Sequence, residues 1–296
     1  MSVGAESLRR ARSFALSDTA FRRLALANVL MLVVIVATGA TVRLTGSGLG
    51  CEHWPGCEPH HFEPKSFHSY IEFGNRVVAF FTILVTLATA IGAWLASVSR
   101  AVRWVAVVIF LGTLAQAPLG AITIHYHLNP WLVISHFLLS IVVLTLAVSV
   151  AVEVWPRSLD VVPQWVRAGA LLVWGSLCML IVSGTLATAA GPHPGSTVVR
   201  RLWSFYPAVY WHVRATAVFG VSFAVLLTWL VRAHSRHVRG ALFVLGLLAV
   251  QMTIGEIQYR TQLPWWLVLV HVTVATTLWA VATAFVYSLW RPVRRT

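Results

Sequence analysis

Eight apolar stretches, each about 20 residues long, constrain this chain more than any other feature, because that is the length of helix needed to cross roughly 30 Å of hydrocarbon at 1.5 Å per residue. They fall near 24–44, 69–97, 104–124, 132–154, 168–189, 211–231, 240–259 and 265–289. The expected fold is an all-α polytopic membrane protein with eight transmembrane helices. Charged residues are only 10% of the chain and hydrophobic ones 58%, whereas a soluble domain carries about a quarter charged residues. A net charge of +13 would suit nucleic acid. Here, however, the basic residues stand at the ends of the apolar stretches, where a lipid bilayer puts them, so no nucleic-acid partner is expected. The first 23 residues are Arg-rich and too polar to hold the apolar core of a cleavable signal peptide.

Lys and Arg concentrate on the cytoplasmic side of a membrane protein. With the N-terminus inside, fifteen arginines fall on the cytoplasmic side and five basic residues outside (Arg43, Lys65, Arg200, Arg201 and Arg260), with Arg76 and Arg214 inside spans. Both termini are therefore expected in the cytoplasm of a cell-membrane protein. The loop "GLGCEHWPGCEPHH", residues 48–61, then lies outside.

The chain also repeats itself. An offset of 135 pairs Gln116 with Gln251, Gly120 with Gly255, Leu128 with Leu263, Trp131 with Trp266, Val133 with Val268 and His136 with His271. An offset of 145 pairs Thr38-Gly39 with Ser183-Gly184 and Gly46 with Gly191. Two four-helix bundles follow, entering from the same side and related by a pseudo-two-fold axis along the membrane normal. The expected organisation is a cytoplasmic segment over 1–23, a first half over 24–154, a linker over 155–167, a second half over 168–289 and a tail over 290–296.

Ionisable residues inside a span are costly and mark function. Span 2 carries Glu72, Asn75 and Arg76, span 4 His136, span 6 His212 and Arg214, span 7 Glu256, and span 8 His271. A lone histidine of this kind is ordinarily an interhelical hydrogen bond. Three on alternate helices, two of them repeat partners, form a pattern. Each half offers two positions at one depth: Asn75 with His136, and His212 with His271. Two imidazoles on facing helices of a bundle suit an axially ligated heme, whereas zinc takes more ligands. Small residues follow one turn later, at Ala79, Ser140, Thr216 and Ala275. Arg76, Arg214 and Arg200-Arg201 lie at the level of heme propionates, which they would pair; snorkelling to lipid head groups is the plainer reading. Glu72 shares a helix face with Asn75 and Arg76, as a structural ion pair or as an acid/base group.

With these residues in place, the chain resembles the heme A synthase family, membrane enzymes that convert heme O to heme A. The stretches that carry the likeness are "TGATVRLTGSGLGCEHWPGC", "IEFGNRVVAF", "HLNPWLVISHFLLS", "GPHPGS", "WHVRATA" and "HVTVAT", in the family's order. The resemblance implies that His212 and His271 bind a heme b cofactor, with Arg214 beside them. It implies that the first half binds substrate heme O through His136, next to Asn75 and Arg76, and that Glu72 is the essential carboxylate. It implies that Cys51 and Cys57 are the outer-loop cysteine pair. A heme O synthase (protoheme farnesyltransferase) and an electron acceptor such as quinone are the partners it brings. Two departures stand out. The family's Glu-x-x-His-Arg reads Glu72-Phe73-Gly74-Asn75-Arg76 here, so the substrate iron is five-coordinate on His136, or His68 or an outer-loop histidine supplies the missing ligand. The third outer loop has no cysteine pair, and Cys178, inside span 5, is a packing residue.

The outer loop itself admits zinc through His53, His60 and His61. Its Cys-x5-Cys spacing fits a zinc motif poorly, and on the oxidising side a reversible disulfide or a simple staple is expected. Without the resemblance, the same residues would serve a b-type cytochrome exchanging electrons with quinone, or a transporter, which would need polar residues near the inner midplane.

Overall fold

A computed structural model describes residues 16–51, 53, 56–57, 64–156, 161–196 and 201–290. The described residues form eight helices, each long and apolar enough to cross a membrane: α1 (Asp18–Leu44), α2 (Phe67–Leu95), α3 (Arg100–His125), α4 (Pro130–Val154), α5 (Gln164–Ala190), α6 (Phe205–Arg232), α7 (Val238–Arg260) and α8 (Trp265–Trp290). The chain is a multi-pass membrane protein.

Several helices begin before their apolar runs, because caps and not hydropathy set a helix start. Ser17 Oγ accepts from Ala20 N at 3.2 Å, Ser66 forms a reciprocal capping box with Ser69, and Ser99 Oγ accepts from Val102 N. Asn129 caps α4 with Pro130 in its first turn, where a missing N–H costs nothing. Aromatic pairs sit at the helix ends: Trp131 with Trp203 at one end, Trp94 with Trp104 and Trp165 with Trp229 at the other. They mark the two interfacial belts.

The neighbours of each helix define two four-membered rings. In the first, α1 packs on α2, α2 on α3, α3 on α4 and α4 on α1; in the second, α5 on α6, α6 on α7, α7 on α8 and α8 on α5. The rings meet through α4–α8, α1–α8 and α4–α5. Exchanging each helix for the one four places on maps this set of neighbours onto itself, as a pseudo-two-fold axis beside α4 and α8 requires. The turns agree with it. His127 and Leu128 join α3 to α4, and Gln262 and Leu263 join α7 to α8, all with left-handed backbone (φ 51°, 57°, 64° and 60°). In both turns the leucine N–H bonds a carbonyl five residues back, Thr123 O and Gln258 O. Left-handed backbone costs a non-glycine residue about 1–2 kcal/mol, yet both halves keep it in the same two places.

Lipid offers no hydrophobic drive between helices, so contact rests on small residues and polar ties. Ala93, Ala106, Ala170 and Ala241 are fully buried. Between the halves, Trp279 Nε1 donates to Thr145 Oγ1 at 3.0 Å and Tyr287 OH to Glu153 Oε2 at 3.2 Å. Such bonds contribute about 0.6 kcal/mol each. Cys178 is a free, half-buried thiol packed against the core, as expected.

Candidate functional site

The four repeat-related positions stand at similar depths. His136 and His271 each lie six residues into their helices, His212 seven and Asn75 eight, or about 9–12 Å along the axis. Their helices are diagonal in each ring: α2 and α4 in the first, α6 and α8 in the second.

Each position rests in a cradle built by the preceding helix from one polar side chain and one glycine. On α1, Thr38 Oγ1 donates to Asn75 Oδ1 at 2.7 Å, and a Cβ on Gly39 would lie 3.9 Å from that oxygen. On α5, Ser183 Oγ lies 3.1 Å from His212 Nδ1, and a Cβ on Gly184 would meet His212 Cε1 at 2.9 Å. On α3, Gln116 Nε2 donates to His136 O at 3.1 Å and to Ser140 Oγ at 2.6 Å, with Gly120 beside the ring. On α7, Gln251 Nε2 lies 3.0 Å from His271 Nε2, and a Cβ on Gly255 would meet His271 Cε1 at 3.1 Å. The glycines let an imidazole or carboxamide close on the neighbouring helix.

The halves differ where chemistry would differ. Glu72 is buried, 4% exposed. Its Oε1 pairs with Arg76 Nη2 at 2.6 Å and its Oε2 accepts from Cys51 N at 2.8 Å. Arg76 also donates to His53 O at 2.7 Å and to Gly56 O. Cys51 and Cys57 are disulfide-bonded, so a stapled loop, an arginine and the carboxylate form one unit. Gly50 must be glycine in this unit, because a Cβ there would come within 2.6 Å of the His68 carbonyl group. In the second half Val209 stands three residues before His212, so that half has no equivalent carboxylate.

Heme would fit the donor set. His212 keeps Nδ1 on Ser183, which leaves its other nitrogen for iron. The Nδ1 atoms of His136 and His271 are buried and have no partner among the described residues. Helices α6 and α7 pack on each other least of all the neighbours. Along α6, just past one turn below His212, Ala217, Val218, Val221 and Ser222 line an open apolar depression of about 420 Å³. Among the described residues no three or more His, Cys, Asp or Glu side chains converge as a metal site.

Other expected residues lie elsewhere. Arg214 is exposed, with its guanidinium 3.1 Å above the Tyr210 ring. His68 is exposed, and its Nδ1 lies 2.9 Å from Ser47 Oγ. His53 is exposed, while His60, His61 and Arg200 lie outside the described residues. Glu256 pairs with Arg260 in the open.

Arg43 has a role the sequence did not signal. Its Nε donates to His193 O at 3.0 Å and its Nη2 to Thr188 O at 2.8 Å, tying α1 to the outer end of α5. His193 Nε2 in turn donates to Leu263 O at 2.8 Å, and Gly48 N to Gly195 O at 3.1 Å. The Arg43 and Gly48 bonds tie the outer ends of the two halves together, and the His193 bond braces the second half's loop against its α7–α8 turn.

Comparison with known proteins covers nearly the whole chain. The family model described as cytochrome oxidase assembly protein (COX15-CtaA) matches residues 22–69 and 60–283. A heme A synthase of Symbiobacterium thermophilum is 29% identical over 305 positions, which cover 93% of this chain and 97% of that protein. A heme A synthase of Bacillus pumilus is 30% identical over 126 residues, 42% of this chain; the match spans less than half of that relative's length, 41%. A protoheme IX farnesyltransferase of Halobacterium salinarum is 32% identical over 89 residues, which cover 30% of this chain and 20% of that protein.

Proposed function

This chain belongs to the COX15-CtaA family of cytochrome oxidase assembly proteins, and from that premise we propose that it is a heme A synthase, an oxidoreductase that converts the C8 methyl of heme O to a formyl group. The observation that carries the reading is the asymmetry between two otherwise repeated sites. Both halves have the cradled pair of positions, but among the described residues only the first has a buried carboxylate, held by Arg76 and by the amide of a disulfide-bonded cysteine.

In this reading heme O, the substrate, sits in the first half on His136, with Asn75 across from it. A methyl group that becomes a formyl group loses two hydrogens and gains one oxygen; with water as the oxygen source this four-electron oxidation releases four protons and four electrons, so the site must take up protons and pass electrons on to an external acceptor. Glu72 takes the protons, and Arg76 and the Cys51 amide keep its carboxylate in place beside the substrate. Heme b, held by His212 and His271, supplies one-electron redox chemistry in the second half. Ser183 orients His212, and the open depression along α6 accepts the apolar body of the macrocycle. Arg214 and Arg76, near the outer ends of their helices, are the cations for propionates. Heme O comes from a farnesyltransferase acting before this enzyme, and the likeness of part of this chain to such a protein supports the two working in sequence. The excess of arginine on one side supports cytoplasmic termini in the cell membrane.

Pigment extraction tests the proposal. The full chain, purified from cells that make heme O, should carry heme b together with heme A or hydroxylated heme O. Heme b alone, at two equivalents, would identify a b-type cytochrome and overturn it.

A further inference from the structure

A carboxylate holds one proton at a time, so a reaction that releases four must empty Glu72 between steps. Glu72 does not reach bulk water itself. It is buried, with Oε1 on Arg76 and Oε2 on the Cys51 amide. His68 stands four residues earlier, one turn nearer the outer end of α2. Residues four apart on a helix have Cβ atoms about 5–6 Å apart. Both side chains turn to the same stretch of outer loop, since His68 meets Ser47 and Glu72 meets Cys51. Unlike Glu72, His68 is exposed.

Counting protons fixes the form of the His68 ring. Three short contacts run in series: His68 Nδ1 to Ser47 Oγ at 2.9 Å, Ser47 Oγ to Thr45 Oγ1 at 2.7 Å, and Thr45 Oγ1 to the Thr41 carbonyl at 2.8 Å. Each contact needs one proton, and the carbonyl has none to give. Thr45 therefore donates to Thr41 O, Ser47 donates to Thr45, and His68 Nδ1 donates to Ser47. Ser47 is 0% exposed, so water does not compete for the middle of the series. A neutral imidazole with its proton on Nδ1 has a bare Nε2 that accepts a proton. No hydrogen bond engages that nitrogen among the described residues. Nor does it serve the substrate iron: His68 precedes Asn75 by seven residues, about 10 Å along α2, and its ring is tied to the loop.

We propose that His68 is the proton exit of the first-half site: its Nε2 takes, over a bridging water, the proton that Glu72 has accepted and gives it to bulk water at the outer surface. One proton moves at a time. Glu72 returns to the carboxylate, still held by Arg76 and the Cys51 amide, while His68 passes through the imidazolium and keeps its Nδ1 proton throughout. An imidazole suits the task because its ordinary pKa lies close to neutral pH. His68 acts through Glu72 and does not touch the substrate. The proposal rests on the reading of Glu72 as the group that takes the substrate's protons.

Two measurements on the full chain test it. The first is the tautomer, read by solid-state NMR of protein labelled with 15N-histidine, with the His68 signal identified by its absence in His68→Ala. The proton should be on Nδ1 and Nε2 bare; a proton on Nε2 would overturn the proposal. The second is the rate of heme A formation at constant pH in membranes supplied with heme O. His68→Ala should slow it by about 100-fold, the lower end of what a positioned proton-transfer group contributes. Added 2,6-lutidine, a base of histidine-like strength too hindered to ligate iron, should restore most of the rate, which it would not do for a loop that had merely lost its tie to Ser47. Should His68→Ala fail to fold, His68→Gln, which can donate to Ser47 and carries no proton, takes its place. Undiminished turnover, or a loss that lutidine does not restore, would overturn the proposal. Glu72→Ala separates the two levels of inference. An inactive Glu72→Ala beside a fully active His68→Ala removes the exit alone, and an active Glu72→Ala removes the reading of Glu72 and the exit with it.

Discussion

Gly184→Ala adds one methyl group, and the structure says where it goes. The new Cβ would lie 2.9 Å from His212 Cε1 and 3.4 Å from Nδ1. Carbon atoms settle at about 3.5–4.0 Å, so the shortfall is about 0.6–1.1 Å. The imidazole is a rigid plane, and Ser183 holds it from the next residue, so the ring must tilt or the helices must part. Overpacking of this kind costs about 1–3 kcal/mol, which corresponds to roughly 5- to 150-fold weaker heme b binding. The other cradles grade the effect. Gly255→Ala places its Cβ 3.1 Å from His271 Cε1, Gly120→Ala 3.5 Å from His136 Cε1, and Gly39→Ala 3.9 Å from Asn75 Oδ1. Heme loss should therefore be largest in Gly184→Ala, smaller in Gly255→Ala and absent in the first-half pair. Helix propensity acts the other way, since alanine favours a helix interior over glycine by about 0.8–1.0 kcal/mol. Gly39→Ala and Gly120→Ala should then raise thermal stability. Heme content by pyridine hemochrome assay, with melting temperature measured beside it, checks the series. Full heme b occupancy and an unchanged spectrum in Gly184→Ala, or equal heme loss in all four variants, would refute the reasoning.

Further outcomes follow from the same geometry. Glu72→Ala should abolish heme A formation while the low-spin heme b of the second half persists, read by pigment extraction and absorption spectrum. Arg76→Leu removes one partner of a buried pair and should destabilise the protein by about 3–5 kcal/mol, seen as a lower melting temperature. Asn75→His should convert a first-half heme that binds CO or cyanide into a low-spin form that resists both, measured by difference spectroscopy. Arg43→Met leaves the carbonyls of Thr188 and His193 without their donor; it should lower thermal stability by about 1–3 kcal/mol and leave the heme spectrum unchanged.

The helices and the half-buried histidines within them were legible in the sequence because the bilayer imposes a length and penalises charge. His136, His212 and His271 stand out from apolar surroundings for that reason. The repeat was legible through its polar members: Thr38-Gly39, Ser183-Gly184, Gln116 and Gln251 are the residues that form the cradles. The outer surface was not legible. Arg43 reads as one of five outer cations, yet its acceptors are carbonyls 145 and 150 residues away, and a backbone carbonyl leaves no trace in residue type. The amide of Cys51 on Glu72 was hidden in the same way. Arg214 was read from its depth alone, which says nothing about its contacts; its guanidinium stacks on Tyr210, one turn back on the same helix.

The pairing of α4 with α8 across the axis also bears on how such a protein could arise. A single four-helix unit with this surface would self-associate through that helix into a two-fold dimer, and in such a dimer every substitution is made twice. A carboxylate gained at one site would appear at both, and a histidine exchanged for asparagine would be lost from both. Joining the units in one chain removes that constraint. Glu72 against Val209 and Asn75 against His212 are differences that only a fused pair can hold, and with them one copy can become a reaction site while the other remains an electron relay.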